Sequence, residues 1–100
     1  MQEFLVTCIN KPDRMSSHEH ITHIGNTDNN WRLTRDAAIQ RIESKYEAFY
    51  TLDRTSGRKS YIGVVRQQGR APYLQCHADG VWNDNLLAQA ECSGSAVVKA

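Results

Sequence analysis

Four histidines and three cysteines are the side chains of this sequence best suited to chemistry. Three of the histidines, His18, His20 and His23, lie close together, and imidazole is a usual ligand for zinc, copper or nickel. On an extended chain His18 and His20 share one face, while His23 falls on the other. Closed zinc sites use paired Cys-x-x-Cys or His-x-x-x-His ligands, and no such pair occurs here. The three histidines are therefore weak metal candidates, and no cofactor is implied. Cys76 adjoins His77, but neighbours on a strand point to opposite faces, so the two do not form a nucleophile–base pair. His23 or His77 with Asp79 is the acid–base combination that remains. There is no Gly-x-Ser-x-Gly elbow, phosphate-cradling glycine loop or dinucleotide fingerprint.

Charge is the more informative feature. Overall the chain is balanced, with 12 basic and 11 acidic residues. Locally it is not: between Arg54 and Leu74 lie Arg54, Arg58, Lys59, Arg66 and Arg70, with no acidic residue among them. Tyr61 and Tyr73 fall in the same stretch and suit stacking on bases, while arginine's planar fork suits phosphate. An anionic partner, either nucleic acid or an acidic protein surface, is one reading. A solvated basic edge that deters strand-to-strand aggregation is the other. A second polar constellation, Asp79-Gly80-Val81-Trp82-Asn83-Asp84-Asn85, offers oxygen donors but lacks the spacing of a calcium loop. Asp79, Trp82, Asn83 and Asn85 form a candidate ligand or partner loop. Its simpler reading is a tight turn, shaped by Asx side chains and anchored by a packed Trp82.

The elements that must position these residues follow from pattern. Phe4–Ile9 reads as a first strand and His20–Gly25 as a second, with a turn opening at Gly25-Asn26, where Asn tolerates a positive φ. Thr34 is a good N-cap and Asp36 suits the positive end of a helix dipole. Ala38, Ile39, Ile42 and Tyr46 then give an apolar stripe, which predicts a helix from Arg35 to Lys45. Ala48–Leu52, Ser60–Arg66 and Tyr73–His77 follow as three strands joined by short turns, an antiparallel meander. Leu86 and Leu87 return the chain to the core. The expected fold class is α+β: a small antiparallel sheet of about five strands in β-β-α-β-β-β order, with one helix packed on one face. Residues 1–92 form a single domain and 93–100 a frayed tail. With 40% hydrophobic and 23% charged residues over 100 positions, one soluble domain is expected, and no apolar run spans a bilayer.

An odd number of widely spaced cysteines argues against a disulfide framework. The expectation is three free thiols in a reducing cytoplasm, with Cys8 and Cys76 buried in strands and Cys92 exposed. No signal peptide is visible at Met1-Gln2-Glu3-Phe4.

Several blocks together resemble a known family. Thr7-Cys8-Ile9-Asn10-Lys11-Pro12, His18-Glu19-His20-Ile21-Thr22-His23-Ile24-Gly25, Ala78-Asp79-Gly80 and Trp82-Asn83-Asp84-Asn85-Leu86-Leu87 are similar to small bacterial proteins of the domain-of-unknown-function family 3892, over about residues 5–92. The resemblance implies one compact bacterial domain and carries over no catalytic residue.

The functional expectation is a non-catalytic binding module for an anionic partner, with nucleic acid slightly ahead of protein. The alternative is a protein-interaction or homo-oligomerisation module, which requires an exposed apolar patch around Trp31, Trp82 or an unpaired sheet edge. A metal-dependent enzyme built on the histidines is the second alternative. No membrane partner is expected.

Overall fold

The N-terminal apolar run does not make one strand. In the computed structural model, which describes residues 2–13, 15–53, 55–92 and 97–98, it divides at Val6 and Thr7 into β1 (Gln2–Leu5) and β2 (Cys8–Asn10). A 3-10 turn (His18–His20) follows, then β3 (His23–Asn26), β4 (Trp31–Thr34) and helix α1 (Arg35–Glu43). The remainder is β5 (Glu47–Leu52), β6 (Lys59–Val65), β7 (Tyr73–Ala78), β8 (Val81–Asn83), β9 (Ala90–Glu91) and β10 (Val97–Val98). The class is α+β, as expected, but the strands form two sheets rather than one. The first has the order β1-β5-β6-β7-β8 and the second β10-β4-β3-β2-β9. Each is mixed: β1 runs parallel to β5, β10 to β4 and β9 to β2. The second sheet is built partly from two-residue strands recruited from the end of the chain, too short to leave a periodic pattern.

The meander β5-β6-β7 forms as expected and gains β8 as a fourth antiparallel strand. Asp79 and Gly80 make the two-residue turn between β7 and β8, with φ of 54° and 79°. Positive φ at both positions matches the right-handed twist of the flanking strands.

Thr34 caps α1: its hydroxyl accepts a bond from the Ala37 amide at 3.2 Å. Ala38 and Ile39 are buried and Ile42 packs against the core. The helix ends at Glu43, earlier than Lys45, because Lys45 takes a left-handed φ of 65°. That reversal swings Tyr46 out to 80% exposure, so it does not belong to the apolar stripe.

One core serves both sheets. Ile9, Ile24 and Leu33 lie in register across β2, β3 and β4 and meet Phe49, Ile62 and Leu74 of the meander, with Val6, Ile21 and Leu86 filling between. Trp31 is buried rather than exposed, at centroid distances of 6.2 Å from Phe4 and 5.9 Å from Phe49.

Cys8 and Cys92 form a disulfide, and Cys76 is the free cysteine among the described residues. This corrects the expectation of three free thiols and an exposed Cys92. Leu86 draws the chain back into the core, β9 pairs with β2, and Cys92 is buried beside Cys8. The odd cysteine count therefore gives no argument for a reducing compartment. Gly25 sits in β3, not in a turn. A Cβ there would lie 2.6 Å from the Trp31 carbonyl oxygen and 3.2 Å from Cys92 Sγ. Close approach, rather than a special φ, requires glycine at that position. Asn26 likewise ends β3 as a buried residue, donating to the Leu5 carbonyl and accepting from the Asn29 amide.

Residues 93–96 and 99–100 lie outside the described residues, whereas Val97–Val98, expected as frayed tail, pairs with Trp31–Arg32. No described helix is long and apolar enough to cross a membrane.

Candidate interaction face

Side chains alternate across a strand, so the first sheet has two faces. Phe49, Thr51, Ser60, Ile62, Leu74 and Cys76 point inward and are buried. Their neighbours point outward, and the register aligns five of them in one row. Leu5 pairs with Tyr50, Tyr50 with Tyr61, Tyr61 with His77, and His77 with Trp82. The row crosses all five strands. Tyr50 and Tyr61 have ring centroids 6.1 Å apart, and His77 and Trp82 meet edge to face at 5.3 Å. Gly63 makes room for this arrangement. A Cβ there would lie 3.0 Å from the His77 ring and 3.1 Å from the far edge of the Trp82 indole, so the indole reaches back from β8 over β6. Trp82 remains 46% exposed and is not the packed anchor expected of it. The helix and the second sheet cover the opposite face.

Charged groups flank the row in pairs. Glu3 Oε1 accepts from Lys59 Nζ at 3.2 Å and from the Tyr61 hydroxyl at 3.1 Å. The hydrogen bond from Lys59 holds the Glu3 carboxyl below its usual range, and the bond to Glu3 raises the Tyr61 hydroxyl. Lys59 also sits 4.5 Å from the Tyr50 ring centroid. Beyond it, Arg58 is paired with Asp79. At the other end of the meander Arg66 forms a two-pronged bond to Glu43, at 2.5 and 2.9 Å, and Arg70 pairs with Glu19.

The basic stretch thus keeps no carboxylate-free cluster among the described residues. Arg58, Lys59, Arg66 and Arg70 each meet an acidic partner contributed by β1, α1, the 3-10 turn or the β7–β8 turn. Sequence separations of 21 to 56 residues hid these partners. Arg54 lies outside the described residues. Tyr61 is half-buried on the outward-facing row, whereas Tyr73 is buried and unavailable for stacking.

The other candidates make contacts within the fold. Asn83 and Asn85 both donate to the Ser60 hydroxyl, at 3.2 and 2.8 Å, and the Asn83 side chain accepts from the Asn85 amide. They fasten the loop after β8 to β6. His18 and His20 lie in a 3-10 turn, not on one face of a strand. His18 is buried, its Nε2 4.0 Å from Asp84, and desolvation lowers its pKa. The His23 Nδ1 is 2.9 Å from the Thr22 hydroxyl. Among the described residues no three His, Cys, Asp or Glu side chains gather to hold a metal. Cys76 and His77 do point to opposite faces. The thiol is buried against Thr51, at 3.4 Å, and burial pushes its pKa up to about 11, so it carries little thiolate at neutral pH.

Comparison with known families matches residues 5–88 to the protein of unknown function family DUF3892. The chain belongs to this family. No curated protein and no solved structure matches it. The family thus brings a shared domain of unassigned activity, and the reading of function rests on the face just described.

Tyr50, His77 and the exposed role of Trp82 were missed as a group in the sequence. A signal was present for half of it: a two-residue Asp79-Gly80 turn sets Ala78 opposite Val81, and hence His77 opposite Trp82.

Proposed function

We propose that this chain is a non-catalytic interaction module that docks a protein partner on the outer face of its first sheet. The observation that carries the reading is the outward-facing row of half-buried Tyr50, Tyr61 and His77 with exposed Trp82. An antiparallel sheet with one solvated face ordinarily presents polar side chains there. Aromatic residues, with Trp and Tyr foremost, are enriched where proteins meet, ringed by polar groups. The nucleic-acid reading needs surplus positive charge beside the rings. Lys59 and Arg58 bring two cations and Glu3 and Asp79 two carboxylates, so the face offers a polyanion no net attraction. The exposed ion pairs are themselves weak, about 0–1 kcal/mol each, and form the polar rim.

A photoreactive phenylalanine analogue replacing Trp82 tests the reading in cells, with the same analogue replacing Asp28 in the β3–β4 turn as control. Protein adducts formed from position 82, absent from position 28 and reduced by Tyr61→Ser are expected. Equal yields at the two positions overturn it, as does salt-dependent quenching of Trp82 fluorescence by single-stranded DNA or RNA.

A further inference from the structure

Building on that reading, we infer that the partner is a second copy of this chain, docked face to face across the aromatic row. The first reason is charge. Lys59 and the Arg58–Asp79 pair lie together beyond one side of the row, where β6 begins and β7 ends, and Glu3 lies across it on β1, within reach of Lys59. A uniformly acidic or basic surface would meet like charge at half of these positions. A surface carrying both signs twice beside its rings can meet its own copy with unlike charges opposed, and a two-fold axis brings a patch onto its own copy.

The second reason is size. Five strands spaced about 4.8 Å apart span about 20–24 Å, and seven residues of β6 extend about 23 Å. The longest strands thus define a footprint of about 460–550 Å², below the roughly 800 Å² per partner of a standard interface. A weak, reversible dimer fits this area, with dissociation in the micromolar range or above. The third reason is shape. With Gly63 beneath it, the Trp82 indole extends over the sheet, and two such sheets stack at about 10 Å with side chains interleaved.

Sedimentation or light scattering from about 5 μM to 1 mM tests the inference on the whole chain. The weight-average mass should rise from that of one chain toward two as concentration increases. Trp82→Ser and Tyr61→Ser should each weaken dimerisation at least tenfold. Met15→Ser, at an apolar residue 86% exposed in the loop after β2, should not. Lys59→Glu leaves the rings in place and should weaken dimerisation by placing carboxylates against Glu3 of the facing copy. Far-UV circular dichroism of each variant reports whether the fold is kept. A single-chain mass at 1 mM overturns self-association, and adducts from position 82 to other proteins would then leave the interaction face standing. A rising mass unaffected by Trp82→Ser and Tyr61→Ser places association elsewhere and also overturns the inference. If the mass stays that of one chain and position 82 gives no more adducts than position 28, the interaction face falls as well.

Discussion

Reduction of the Cys8–Cys92 disulfide should remove a large share of the stability of this fold. The bond joins residues 84 apart in sequence. Releasing a loop of that length returns about 15 cal/mol/K of chain entropy to the denatured state, or about 4.6 kcal/mol at 25 °C. Small domains have only about 5–15 kcal/mol in total. For a domain of this length each kcal/mol lowers Tm by about 4–8 °C, so a fall of roughly 18–37 °C is expected. Two measurements check this. In protein purified without reductant and unfolded in guanidinium, thiol titration should find one reactive group, Cys76, and three after reduction. Urea unfolding should then show the loss of stability with reductant, and again in Cys92→Ser without it. Because either single substitution opens the same loop, Cys8→Ser and the double variant should fall about as far as Cys92→Ser. Three reactive thiols without reductant, or a loss below about 1 kcal/mol, would refute the reasoning.

Gly25→Ala should destabilise by about 1–3 kcal/mol in urea unfolding, because the new methyl meets the Trp31 carbonyl and cannot be accommodated without moving backbone. Thr34→Ala should cost about 1 kcal/mol, and Thr34→Ser close to nothing, since only the alanine loses the acceptor for the Ala37 amide. Burial lowers the pKa of His18 and His23, so the folded chain binds fewer protons than the unfolded chain below the ordinary histidine value of 6.5. The favourable difference is fully present above pH 6.5 and is lost as pH falls through the lowered values. Stability followed from pH 7.5 to 5 should decline, and His18→Gln should flatten the decline; an unchanged slope would show that His18 does not titrate differently on folding.

What the sequence carried legibly was local. Thr34 and Asp36 announced the helix, because a cap and a dipole act within one turn. The three strands of the meander were legible because each carries its own apolar, β-branched or aromatic residues between turn signals. Leu86 was readable as a return to the core. What escaped was pairing at a distance. The apolar run Phe4–Ile9 gives no sign that Val6 and Thr7 lie between two sheets, since the side-chain pattern is the same on either side. The carboxylates that neutralise Arg66 and Arg70 come from α1 and the 3-10 turn, and only tertiary packing brings them there. The candidate site shifted for the same reason: charge was counted along the chain, whereas the aromatic row exists only across it.

The separation of the two sides of the first sheet has a practical consequence. Phe49, Ile62, Leu74 and Cys76 hold the molecule together, and no member of the opposing row belongs to the core. On the proposed reading, changes at Tyr50, Tyr61, His77 and Trp82 would alter what is recognised while costing the fold their cross-strand pairs, about 0.2–1 kcal/mol each, rather than its core. A library randomised at those four positions should yield mostly folded members, which would make this small scaffold a base for new specificities.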